Sequence, residues 1–261
     1  MTKPLISLVG TAVRTHLWLE FYQSLRGNKV PLEVIFVGDK KPKFKLPRNI
    51  IYIYSTVKPA QCLEIAARSA NGDLVAPVAD DAFFGEKTID NLYKLYEKIN
   101  SDKAIISFRW FKHGKLANSN LYYYFIGDKS SPELPFSGLM MRNLWKHFGG
   151  IDRRFIASCG DTDLYLRSFE IGCKVYYCDN AIYEERKEKS GKKNLYPRYG
   201  QYFDRPLLDS FWVRKQVISK KRFVPVKPFE DKNILSVTQG NTGEWNNSMH
   251  RKLINRIRLF I

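Results

Sequence analysis

Residues 149–167 read G-G-I-D-R-R-F-I-A-S-C-G-D-T-D-L-Y-L-R. The stretch joins two helical patterns. Residues 142–148 form the first, and Gly149-Gly150 ends it. Residues 164–171 carry leucine and aromatic side chains at helical spacing until Gly172 stops the run. Gly160, Asp161, Thr162 and Asp163 stand directly before that second pattern. Carboxylates at a helix N-terminus meet free backbone N–H groups and the positive end of the dipole, which favour the ionised form. Asp161 therefore suits a helix cap, or a general base that stays deprotonated near neutral pH. The segment alone leaves both readings open.

Towards the amino terminus, residues 5–9, 34–37, 50–54, 74–78 and 104–108 are short apolar runs. Helical patterns occupy residues 16–25, 59–71 and 86–99. Strands alternating with such helices predict an α/β chain with a parallel, doubly wound sheet. Ligands of such sheets bind beyond the carboxyl ends of the strands. That rule selects Thr11, Asp39 and the pair Asp80-Asp81. Two adjacent carboxylates repel unless they are solvated, protonated or neutralised. Hard oxygen ligands suit Mg²⁺ or Mn²⁺, with substrate phosphates completing the coordination. A solvated turn is the plainer alternative.

Composition narrows the field. The 261 residues are 44% hydrophobic and 14% aromatic, which supports a sizeable core and excludes a disordered chain. The length fits one large domain, or one domain with an appendage. Lys and Arg number 43 against 26 acidic residues, a net charge of +17. Such a field attracts nucleotide phosphates, nucleic acid, anionic lipid or acidic glycan without choosing among them. Cys62, Cys159, Cys173 and Cys178 form no C-x-x-C pair, which fits a reduced intracellular protein rather than a disulfide framework or zinc site. No apolar run approaches a membrane span. The start reads as a first strand, and a cytoplasmic protein is expected.

The order of these features resembles inverting glycosyltransferases of the GT-A type, close to family 2. The resemblance covers about residues 4–185. It rests on Asp39 after a strand, the helix before Gly72-Asp73, the strand ending in Asp80-Asp81, and then Gly-Gly-Ile-Asp152 followed by D-T-D-L-Y-L-R at 161–167. It implies a GT-A catalytic domain over residues 1–205. It implies transfer of a sugar, such as a hexose, from a UDP-, GDP- or dTDP-sugar to a hydroxyl of a glycan or glycoconjugate, lipid-linked acceptors included. The reaction would be metal-dependent, using Mn²⁺ or Mg²⁺, and inverting; polysaccharide biosynthesis is the expected setting.

Site roles follow from the same resemblance. Asp39 would bind the nucleotide base, with Thr11 and Arg14 beside it. Asp80 would face the ribose or metal, and Asp81 would hold the cation bridging the diphosphate. Asp161 would be the catalytic base. The sequence departs from the family in three places. Gly38-Asp39 stands where Asp-Asp is usual, and Gly160 replaces an acid. Glu184-Glu185 follows Tyr183 where related enzymes often carry a metal-binding His, so Glu184 becomes a candidate ligand.

Around and beyond this core the sequence is less specific. Residues 109–134 contain Trp110, Phe111, His113 and Tyr122 to Tyr124, which suit stacking on an acceptor sugar or an ordinary buried strand. Residues 184–198 are rich in Lys and Glu and read as a loop over the donor or a solvated connector. Residues 206–261 form an extension with too few apolar residues to fold alone, so they should pack on the catalytic domain. Their last part, residues 248–261, alternates basic and apolar residues. It suits a peripheral contact with an anionic membrane, or docking on protein. A non-catalytic basic protein that binds nucleic acid or acidic glycan is the competing function. No nucleic-acid motif supports it, and a nucleic-acid partner is not expected. A nucleotidyltransferase would leave residues 149–167 unexplained.

Overall fold

The computed structural model describes residues 3–117, 121–123, 133–152, 154–185, 200, 203–209 and 211–212. The strands in chain order are β1 (Ile6–Thr11), β2 (Leu32–Gly38), β3 (Ile50–Tyr54), β4 (Leu74–Pro77), β5 (Ala82–Phe84) and β6 (Ala104–Lys112). Then come β7 (Lys115–Leu116), β8 (Leu121–Tyr123), β9 (Glu133–Pro135), β10 (Gly138–Met141) and β11 (Lys174–Glu185). The helices are α1 (Trp18–Ser24), α2 (Pro59–Arg68), α3 (Thr88–Ile99), α4 (Arg142–His147), α5 (Gly160–Glu170) and α6 (Arg205–Asp209).

The main sheet has the order β3-β2-β1-β4-β10-β6-β11-β5, with β7 paired to β6; β8 and β9 form a separate pair. The first four strands are parallel. Helices cover both faces. Val9, Ile35 and Val37 pack with α2 and α5, whereas Leu8, Val34 and Phe36 pack with α1 and α3. Apolar side chains on both pleats explain why these strands read as continuous apolar runs.

The other half of the sheet departs from the all-parallel expectation. β10 runs antiparallel to β4 and β6, and β5 runs antiparallel to β11. β6 and β11 remain parallel to each other. Residues 78–81 join β4 to β5, four positions away in the sheet order. Four strand spacings amount to about 19 Å if flat, and five residue steps reach at most about 18 Å. The sheet must therefore curl, and the curl brings residues 78–81 over the end of β11. There the Ala79 N–H donates to the Tyr183 hydroxyl at 2.8 Å.

The motif at 149–167 is held by buried charge. Arg167 is fully buried. Its Nε donates to Asp163 Oδ2 at 2.9 Å, its Nη2 to the Gly150 carbonyl at 2.7 Å, and its Nη1 to the Phe148 carbonyl. Burial lowers its pKa to about 10, so it remains charged at neutral pH. Asp163 also accepts from Trp212 Nε1 at 2.9 Å. Glu64 of α2 completes the brace, accepting from Trp145 Nε1 at 3.0 Å and the Ile151 N–H at 2.8 Å. Gly150 has φ +73°, and a Cβ there would lie 2.1 Å from Glu64 Oε2, so this turn excludes any larger residue.

Residues 203–212, where the extension was expected to begin, contribute Phe203, Leu208, Phe211 and Trp212 to the buried interior. Residues 213–261, including the amphipathic segment 248–261, lie outside the described residues, as does most of 184–198. No helix among the described residues is long and apolar enough to cross a membrane. All four cysteines are free thiols. Arg167→Ala should cost about 3–5 kcal/mol, because it strands Asp163 in the interior; urea denaturation of the two proteins measures it.

Candidate active site

Thr11, at the end of β1, and Val78 and Ala79, just beyond β4, open onto one cavity of about 250 Å³. The loop after β1 is shaped by Asp80, which is 1% exposed. Asp80 Oδ2 accepts the backbone N–H groups of Val13, at 2.6 Å, and Arg14. It also accepts Trp18 Nε1 at 3.2 Å, while Oδ1 meets Arg14 Nη1 at 3.2 Å. Both oxygens are thus engaged in folding residues 13–18. Asp80 was expected to face ribose or metal; in the structure its oxygens meet the protein's own N–H groups, and it does not line the cavity.

Asp81, next in the same turn, is also buried, with Oδ2 3.3 Å from Arg14 Nη1. Arg14 therefore bridges the two acids. The register of β5 on β11 sets Glu185 opposite Ala82, and so beside Asp81. Burial, and then the Asp81 charge, push the Glu185 carboxyl up to about 7. Glu184 pairs with Phe83, and side chains alternate along a strand, so Glu184 leaves the opposite face. Glu184 was the expected candidate ligand; Glu185, next to it, is the acid that feels the Asp81 charge. Among the described residues no cluster of three His, Cys, Asp or Glu side chains has the arrangement of a metal site.

Asp161 lines the same cavity as Thr11 and Ala79. It lies within the first turn of α5, not before the helix. The N-cap is Cys159, which makes no side-chain cap bond. The Asp161 Oδ1 accepts the adjacent Thr162 N–H at 2.8 Å. Burial raises the Asp161 pKa, outweighing the lowering by the Thr162 and Asp161 N–H groups. The helix end alone had suggested the opposite direction. Tyr165, one turn on, has its own pKa raised by burial and by the Asp161 charge.

Strands β1 and β4 thus deliver one wall, and the N-terminus of α5 the other. The chain has the GT-A fold. It superposes on S. aureus TarS 1–349 in complex with UDP-GlcNAc at a TM-score of 0.55 and 16% identity, covering 71% of this chain and 59% of that one. Against TarS 1–349 in complex with UDP the TM-score is 0.54 at 14% identity, with 82% and 72% covered. Against the longer S. aureus TarS structure the TM-score is 0.51 at 13% identity, with 70% and 36% covered. The chain thus spans little more than half of the first TarS chain, and about a third of the longest. No protein-family model matches the sequence, and no curated protein matches it.

Within the GT-A frame, Asp39 is exposed after β2, near Tyr52 and Cys62, whose pKa values it helps to raise. It does not line the cavity that holds Asp161. His113 sits in an exposed turn with φ +54°. Phe136 reaches the cavity, stacked on Trp110 with ring centroids 3.9 Å apart and 4° between the planes. Trp110 is itself buried, so the pair serves mainly as wall. Tyr183, Glu185, Glu64 and Asp204 are the site residues that sequence reasoning did not single out.

The raised Asp161 pKa has a stability consequence. The folded protein holds this proton more tightly than the unfolded chain, whose carboxyl titrates near about 3.9. The stability gained from that proton is complete below the unfolded value and is lost as pH rises through the folded one. Asp161→Asn does not titrate. It should melt at a higher temperature than the wild type at pH 8, with the difference shrinking towards pH 4 in thermal scans.

Proposed function

We propose that the protein is a nucleotide-sugar-dependent glycosyltransferase that transfers its sugar with inversion, with Asp161 as the general base. The observation that carries this reading is the shared cavity, with Asp161 on one wall and Thr11 and Ala79 on the other. The opposed walls leave room for a donor at the strand ends and an acceptor hydroxyl beside Asp161. The TarS structures of the same fold hold UDP-GlcNAc or UDP, which makes uridine nucleotides the first donors to try. The acceptor is proposed to be a hydroxyl of a glycan or glycoconjugate.

In the proposed step the acceptor oxygen forms a bond to the anomeric carbon as the bond to the diphosphate breaks. Asp161 takes the hydroxyl proton. A carboxylate in a buried place suits this role, because desolvation raises its affinity for that proton. The nucleoside diphosphate leaves with the bonding pair, and the Arg14 guanidinium, held between Asp80 and Asp81, would favour that charge.

A divalent cation fits Asp81 and Glu185 better than Asp80. Two neighbouring carboxylates that repel each other are hard-oxygen ligands, whereas the Asp80 oxygens already accept N–H groups. Mn²⁺ or Mg²⁺ bound there would neutralise charge on the departing diphosphate.

Thermal shift tests the binding half of the proposal. UDP with Mn²⁺ should raise the melting temperature. Asp81→Ala and Glu185→Gln should each abolish the metal-dependent part, and Glu184→Gln should retain it. Equal stabilisation by heparin, unaffected by EDTA, would instead favour a basic polyanion-binding protein. For catalysis, Asp161→Asn should bind UDP as the wild type does and lose at least about 10²-fold in turnover of a UDP-sugar. Near-normal transfer by that variant would remove Asp161 from the role.

A further inference from the structure

The loop that leads into α5 is held by a carboxylate from far along the chain. Asp204 is fully buried. Its Oδ1 accepts the Ile156 N–H at 2.8 Å, and its Oδ2 accepts the N–H groups of Ala157 at 2.7 Å and Ser158 at 2.8 Å. The Ser158 hydroxyl lies 3.5 Å from the same Oδ2. Three successive backbone N–H groups converge on one carboxylate only when the loop wraps around it. The opposite side of the loop is docked on α2. The Ala60 N–H donates to the Ile156 carbonyl at 3.0 Å, and Gln61 Nε2 donates to the Phe155 carbonyl at 2.8 Å.

Two further features tie this anchor to the cavity. Ala157 and Ser158 line it, and Asp161 follows three residues after Ser158. Between them Cys159 adopts φ +64°, a left-handed conformation costly for a residue with a side chain. Such a conformation persists where its surroundings fix it. Phe211 packs edge-on against Phe155, and Arg154 lies over the Phe211 ring at 4.2 Å. The 203–212 segment thus grips the loop from outside while α2 holds it from within.

We propose that Asp204 is a positioning residue for Asp161: by anchoring the N–H groups of residues 156–158, it sets where α5 begins and therefore where the proposed base meets the cavity. The proposal rests on the glycosyltransferase reading for its catalytic consequence, but its geometric content stands apart from it. An amide cannot replace the acid. Asn presents one acceptor oxygen and one N–H₂ group, so it must oppose at least one backbone donor.

The test uses the full chain with Asp204→Asn, Asp204→Ala and, as a milder change that keeps the charge, Asp204→Glu. Leu208→Ala, which opens the α6 packing and removes none of the three loop hydrogen bonds, is the control for general destabilisation. Hydrogen exchange should show amides 156–158 protected in the wild type and in Leu208→Ala, and rapidly exchanging in Asp204→Asn and Asp204→Ala. With UDP-GlcNAc as probe, turnover in those two variants should fall towards 10²-fold, the size expected for a misplacement of about 1 Å, with KM and UDP affinity held. Leu208→Ala should keep its turnover below its melting temperature. If the Asn and Ala variants do not fold, Asp204→Glu is expected to show the same split between kcat and KM in weaker form.

A readout without turnover separates the two readings. The pH 8 gain in melting temperature from Asp161→Asn should shrink in an Asp204→Glu or Asp204→Ala background, because a loosened loop admits water to Asp161. An enzyme without nucleotide-sugar turnover, but with this coupling, would sink the function and keep the positioning. Protected amides and additive melting shifts in the Asp204 variants would overturn the positioning itself.

Discussion

A guanidinium with no access to water holds the rear wall of the cavity in place. Arg167 touches Asp163 on its own helix and the Phe148 and Gly150 carbonyls across the glycine turn. A charge in the interior is tolerated only when its hydrogen bonds are met, and this one is met by partners from two elements. The turn and α5 consequently move as one body. Asp163 extends that body to Trp212, and Glu64 extends it to α2. Asp161 differs from Asp163 by two residues, which on a helix places the two on different sides. One carboxylate serves the interior and the other meets the cavity.

The front wall follows the same logic with opposite sign. Asp80 is a buried anion surrounded by N–H donors from the loop after β1, and Trp18 anchors that loop into the interior. Asp81, next in sequence, is left to meet Arg14 and the Glu185 side. In the 161/163 pair the first member lines the cavity and the second serves the interior; in the 80/81 pair the first folds the loop after β1 and the second meets Arg14. The curl of the sheet brings β11 to this wall, since a flat sheet would leave residues 78–81 too short to reach β5.

The five apolar runs of the sheet were legible, because strands covered on both faces leave an unbroken apolar signal. β5 and β10 were not, since three or four apolar residues carry no period of their own. The cavity's acids were legible as types but not as roles. Asp80-Asp81 and Glu184-Glu185 each offer two carboxylates, and only tertiary contacts decide which partners each member meets. The direction of the Asp161 pKa shift was not legible, because proximity to a helix end is visible in sequence, whereas depth is not. Asp204 precedes Arg205-Pro206, a setting that reads as an ordinary helix start, and its true partners lie some fifty residues away.

The outermost strand on the other side of the sheet has a bearing on solubility. Among the described residues β3 pairs only with β2, and its far rim presents backbone donors and acceptors alongside Ile51 and Tyr54, the latter 59% exposed. Such a rim invites a neighbouring molecule to add a strand. β3 is only five residues long, and the chain enters it from K-K-P-K-F-K-L-P-R at 40–48. Like charges crowd any copy that approaches, and the prolines deny it a continuous ladder. The lysines that contribute to the protein's basic character thereby also disfavour strand addition along this rim.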